Sequence, residues 1–173
     1  VKVVEPYQML GEVEDDLARA LGSDCVGMKA RSTMFGFKNE GWREWRAPWG
    51  QVMLVPAGFG PREDPSGDVY VFPEGDTSVP PSGHMPAGGY FFDAIVRQEP
   101  IDEDKLNPAD NCEEFKPVDA AEITHWRSEL IRLKGDQRAI VGGIGGTGFG
   151  DIALVPAAFL KHPKGIRDVS EWY

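Results

Sequence analysis

Met9, Leu10, Val13, Leu17, Ala20 and Leu21 recur at three- and four-residue spacing, and Pro6 suits a first turn. The pattern predicts a helix from about Pro6 to Leu21, stopped by Gly22. Asp24 to Met28 follows as a short apolar run suited to a buried strand. Further on, Trp42, Trp45 and Trp49 precede Gln51 to Val55, and Val69 to Phe72 follows a Gly/Pro-rich turn. Together these stretches predict a β-hairpin. Seven Gly and six Pro between Ala57 and Gly89 exclude helix and predict a long loop that covers a site or a partner surface. Gly89 to Val96 is expected to be a strand, apolar on both sides. Asp119 with Glu122 forms a capping box for a helix whose stripe is Ile123, Trp126, Leu130 and Leu133, ended by Gly135. Arg138 to Gly142 is then a strand, followed by a glycine-rich turn into Asp151 to Leu160. Asp168 and Glu171 make another capping box, so a helix is expected to begin where the sequence stops and the chain to be a piece of a longer protein.

Length changes this picture first: 173 residues allow about one domain's core. A formal charge of -10, without a basic stripe, makes nucleic acid and anionic membrane poor partners. Glu99 to Glu122 carries nine acidic residues against Lys105 and Lys116, a solvated acidic face or loop. Apolar runs such as Ala153 to Leu160 fall far short of the roughly 20 residues of a membrane span, so a cytoplasmic protein is expected. Cys25 and Cys112 are too isolated to suggest a disulfide framework or a zinc cluster.

The strongest local motif is Gly142-Gly-Ile-Gly-Gly-Thr-Gly-Phe-Gly150, which contains G-x-G-x-x-G at Gly143, Gly145 and Gly148. A dinucleotide site would also need a strand ending in an acidic residue about 20 positions on, and Pro156 and Pro163 leave little room for one. A glycine loop at the carboxyl end of a barrel strand fits better. Gly145 and Gly146 are therefore candidate substrate-binding positions, with Asp151 orienting the loop. In the turn-rich stretch Glu74 to Met85, Asp76 and His84 are candidates for proton handling or acceptor binding, the alternative being side chains that cap turns. Arg97 suits bidentate capture of a substrate carboxylate, or is an ordinary strand-end cation. His125 and His162 read as surface or capping residues, and the three histidines have no metal-ligand spacing. Arg43 and Arg46 among the tryptophans read as hairpin packing rather than a base-stacking platform.

Two segments, Phe72-Pro-Glu-Gly-Asp-Thr-Ser-Val-Pro-Pro-Ser-Gly-His-Met-Pro-Ala-Gly-Gly-Tyr-Phe-Phe-Asp93 and Val141 to Asp151, resemble the uroporphyrinogen decarboxylase superfamily, and within it the cobalamin-dependent methyltransferase-like branch. The likeness extends over nearly the whole chain. It implies an α/β fold, part of a (β/α)8 TIM barrel, with residues 1–173 as a single partial barrel domain and residues 31–89 as an inserted hairpin and long loop. In the decarboxylases an Asp follows the strand that this chain places at Cys25 to Met28, whereas Lys29-Ala-Arg31 stands here, which weighs against porphyrinogen decarboxylation. For the methyltransferase branch the resemblance implies a methyl acceptor, usually a thiol, and a corrinoid protein that presents the methyl group. It also implies, in some members, a zinc held by residues that would lie beyond Tyr173. Corrinoid-dependent methyl transfer by the intact protein is thus the expected function, the 173-residue chain alone being expected inactive. Carboxy-lyase activity is the alternative within the family. From a different class comes a non-catalytic partial barrel that pairs its strand edges with the remainder of the barrel or a second copy.

Overall fold

A computed structural model describes residues 1–113, 117–143, 157–167 and 171. Prolines and aromatic side chains decide the first departure from helical periodicity. Pro6 is fully buried and Tyr7 nearly so, which pulls the chain into the core where a surface helix was expected. The result is an irregular antiparallel pair, β1 (Val3–Glu5) and β2 (Leu10–Gly11), with Met9 between them at φ 53. Phe92 and Ala94 fix this turn, their backbone N–H groups donating to the Tyr7 carbonyl at 2.9 Å and the Tyr7 hydroxyl at 3.2 Å. Helix is left only to α1 (Asp15–Ala20), none of whose residues is buried.

Two antiparallel sheets form the body. β4 (Arg43–Arg46) pairs with β5 (Val52–Val55), closed by a turn in which the Ala47 N–H donates to Gln51 and the Gly50 N–H to Ala47. The second sheet runs in sequence order through β6 (Arg62–Glu63), β7 (Val69–Val71), β8 (Gly83–Met85) and β9 (Asp93–Ala94). Alternation sorts its faces: Val69, Val71 and Met85 point into the core, while Arg62, Tyr70, His84 and Asp93 lie opposite one another in a row on the other face. Phe35, Phe59 and Phe92 are fully buried beneath, and Phe35 and Phe92 meet edge-on at 5.7 Å. Burying each such ring contributes about 1.5–3 kcal/mol.

Helix α2 (Ala120–Arg132) starts where the capping box predicts, with Asp119 Oδ1 accepting from the Glu122 N–H at 2.6 Å, and Gly135 at φ 93 follows its end. It leads into β10 (Ala139–Val141), which pairs in parallel with β3 (Cys25–Gly27). The predicted helical stripe is buried only in part, at Leu133, with Trp126 half-buried. Ile123 and Leu130 are exposed, and the buried residues on this stretch are Glu129 and Leu133.

The expected (β/α)8 TIM barrel is not what the chain forms. A barrel needs parallel strands joined by helices into one closed sheet. Among the described residues the strands fall into four separate sheets, the sole parallel strand pair is β3 with β10, and two α-helices are present. The physical reason lies between β3 and α2. The short strands there are punctuated by glycines at positive φ, among them Gly36, Gly41, Gly50, Gly67 and Gly88, which turn the chain back on itself into antiparallel pairs. The hairpin partners also differ from the expected ones, since β5 pairs with β4 and β7 with β6 and β8. The predicted strand from Gly89 to Val96 is reduced to Asp93–Ala94.

Candidate functional site

A cleft of about 1050 Å³ runs along β3 and past its carboxyl end, walled by the inner turns of α2 and by the segments around β1, β2 and Trp42. One residue organises it. The Lys29 N–H donates to Glu129 Oε2 at 2.8 Å, and the Lys29 carbonyl accepts from His125 Nε2 at 2.7 Å. Arg132 completes the clasp by donating from Nη2 to the Gly27 carbonyl at 3.2 Å and to Glu129 Oε2 at 2.5 Å. His125, Glu129 and Arg132 stand at i, i+4 and i+7, so one face of α2 grips the chain as it leaves β3. The strand side is held by β10, whose Val141 carbonyl accepts from the Met28 N–H at 2.8 Å.

The electrostatics follow from these pairs. The Arg132 guanidinium holds the Glu129 carboxyl below the usual carboxylate range, against the opposing effect of burial, and Glu129 in turn raises Arg132. Across the cleft the Lys29 ammonium lies 2.5 Å from Glu12, whose carboxyl it lowers, and Arg31 reaches Glu122 at 3.3 Å. Lys2 sits 5.3 Å over the Trp42 ring. A backbone carbonyl can only accept, so His125 Nε2 bears the proton and Nδ1 is the ring's open acceptor, with no hydrogen-bond partner among the described residues.

Asp76, His84 and Arg97, the described residues among the candidate site positions, do not line this cleft. Asp76 and Arg97 are brought together at the Ala157–Lys161 segment: Asp76 Oδ2 pairs with Lys161 Nζ at 2.8 Å, and Arg97 donates to the carbonyls of Leu160 at 2.6 Å and Ala157 at 3.0 Å. Lys161 and the Ser78 hydroxyl hold the Asp76 carboxyl far below its ordinary range. His84 stands apart from them, its Nε2 2.9 Å from Asp68 Oδ2 and its ring stacked at 5.1 Å on Tyr70. Asp68 also accepts from the Ala87 N–H at 2.8 Å, so it links β8 to the turn beyond. Gly145, Gly146 and Asp151, like most of the glycine motif and the expected terminal helix, lie outside the described residues.

His125, expected as a surface or capping residue, is half-buried and lines the cleft. The sequence signal for this is the charged triplet at helical spacing on the face that also carries Leu133. No family model matches the chain, no curated protein matches it, and no solved structure matches it.

Proposed function

We propose that the chain holds a small polar methyl acceptor in the cleft beside β3, and that it serves a corrinoid-dependent methyl transfer in which a corrinoid protein brings the methyl group. The methyl chemistry rests on the resemblance of the Phe72 to Asp93 segment to the methyltransferase-like branch. The observation that carries the binding site is the cleft itself, whose volume suits a small molecule and whose walls present Lys29, Arg31, Glu12 and an imidazole nitrogen with no partner among the described residues. Such charged walls fit a polar acceptor and not a corrin ring, so the corrinoid is here a partner's cargo. Among the described residues no group of three or more His, Cys, Asp or Glu could hold a metal ion. Carboxy-lyase chemistry is less favoured, because the residues after β3 bring cations to the cleft where the decarboxylases place an Asp.

The test is calorimetric titration of the chain with mercaptoacetate, a thiol bearing an anionic group, followed by addition of methylcobalamin. Saturable binding with thiol-dependent loss of the cobalt–carbon absorbance supports the reading, and would correct the expectation that the chain alone is inactive. Absence of thiol binding overturns it, and binding without methyl loss removes the methyl-transfer part.

A second reading, pairing with another copy, is favoured by the outer surface of the parallel pair. Ile140 and Val141 on β10 are exposed, as are Leu17 and Leu21 beside α1. Light scattering after size exclusion is expected to give a dimer mass; a monomer at all concentrations overturns this reading.

No helix among the described residues is long and apolar enough to cross a membrane.

A further inference from the structure

We propose that His125 is the proton acceptor of the cleft, taking the proton that a neutral thiol must lose as its sulfur becomes the attacking atom. This rests on the reading that the cleft holds the methyl acceptor. Three observations converge on it. The Lys29 carbonyl fixes the tautomer, so Nδ1 carries a lone pair. The ring lines the cleft and Nδ1 has no protein partner among the described residues. The clasp on both sides of Lys29 holds the ring, Glu129 and the strand end in one unit, so the base does not have to be ordered when the thiol arrives.

The step balances without a further reagent beyond the alkylcorrinoid donor. The S–H bond breaks, its electron pair stays on sulfur and forms the bond to the methyl carbon, and the proton passes to Nδ1. The donor keeps the electron pair of the bond it loses. Once protonated, the ring donates from both nitrogens and keeps its contact with Lys29. Among the described residues the charged groups that share its cleft are Glu129 and Arg132 from α2, Lys29 and Arg31 after β3, Lys2 and Glu5 at β1, Glu12, Glu14 and Asp15 between β2 and α1, and Lys38, Glu40 and Arg138 from the remaining walls.

Two measurements test the assignment. Long-range imidazole nitrogen correlations of the unsubstituted chain at about pH 8 should show His125 protonated at Nε2 and bare at Nδ1. An Nδ1-protonated ring overturns the proposal, whatever any variant does. Thiolate ultraviolet absorbance is then followed while mercaptoacetate is added to the chain and to His125→Gln, whose amide can still donate to the Lys29 carbonyl but offers no basic nitrogen. Near pH 7, bound thiol in the parent should be ionised about tenfold more than free mercaptoacetate. In His125→Gln the thiol should bind with no such gain. Equal ionisation in both proteins overturns the role of His125 while leaving the cleft as the acceptor site. No thiol binding to either overturns the functional reading and this proposal with it.

Discussion

Glu129 shows how one buried acid can set a site. It is 8% exposed, yet it accepts from the Lys29 backbone and pairs with Arg132, so its removal strands two donors. Glu129→Ala should therefore cost about 1–3 kcal/mol in chemical denaturation. The sign of its pH dependence follows from the lowered carboxyl. The stabilisation is present above the ordinary value near 4.5 and is lost as pH falls below it, a loss that Glu129→Ala should lack. The Asp76 carboxyl supplies a second check at this scale. Lys161→Met removes the first cause of its depression, so carboxyl carbon shifts followed by NMR should show it titrating nearer the ordinary 3.8 than in the parent.

Among elements, α2 was the most legible, since Asp119, Glu122 and Gly135 act through contacts a few residues long. Asp119→Ala should cost about 1 kcal/mol of thermal stability. The helix expected at Pro6 to Leu21 was overridden because Pro6 is buried and Tyr7 packs on the Phe35 ring and accepts from the Phe92 N–H, partners that periodicity does not reveal. The core side of β8 was hidden in the same way. Nothing local says that Gly83 must be glycine, yet a Cβ there would stand 2.5 Å from the Phe35 ring. Gly83→Ala should thus lower stability by about 1–3 kcal/mol through overpacking, with Phe35→Ala costing about 3–5 kcal/mol by the opposite defect. Measuring the double variant decides whether the two positions share a cause, because coupled sites depart from additivity.

For the whole molecule, the glycine and proline content between Ala57 and Gly89 was readable as non-helical, but not as the source of the four-stranded sheet that replaces a barrel. The candidate cleft was less legible still, since Glu12, Lys29 and His125 are distant in sequence and meet only through the fold. Burial is uneven across that fold. Val55, Val71 and Met85 are almost wholly enclosed in the antiparallel body, whereas β10 is exposed throughout and α1 has no buried residue. Amide hydrogen exchange is expected to be slowest in β5, β7 and β8 and faster by orders of magnitude in α1 and β10. Uniform protection would contradict this division.

The register of β3 with β10 has a kinetic meaning. Cys25 lies opposite Ala139, so this ladder forms only after most of the chain between them has been drawn in. The hairpins of the body close over short stretches and can be complete before that happens. The clasp on Lys29 joins residues as far apart, which makes the cleft a late product of folding: a nascent or partly unfolded chain carries every residue of the site and none of its chemistry.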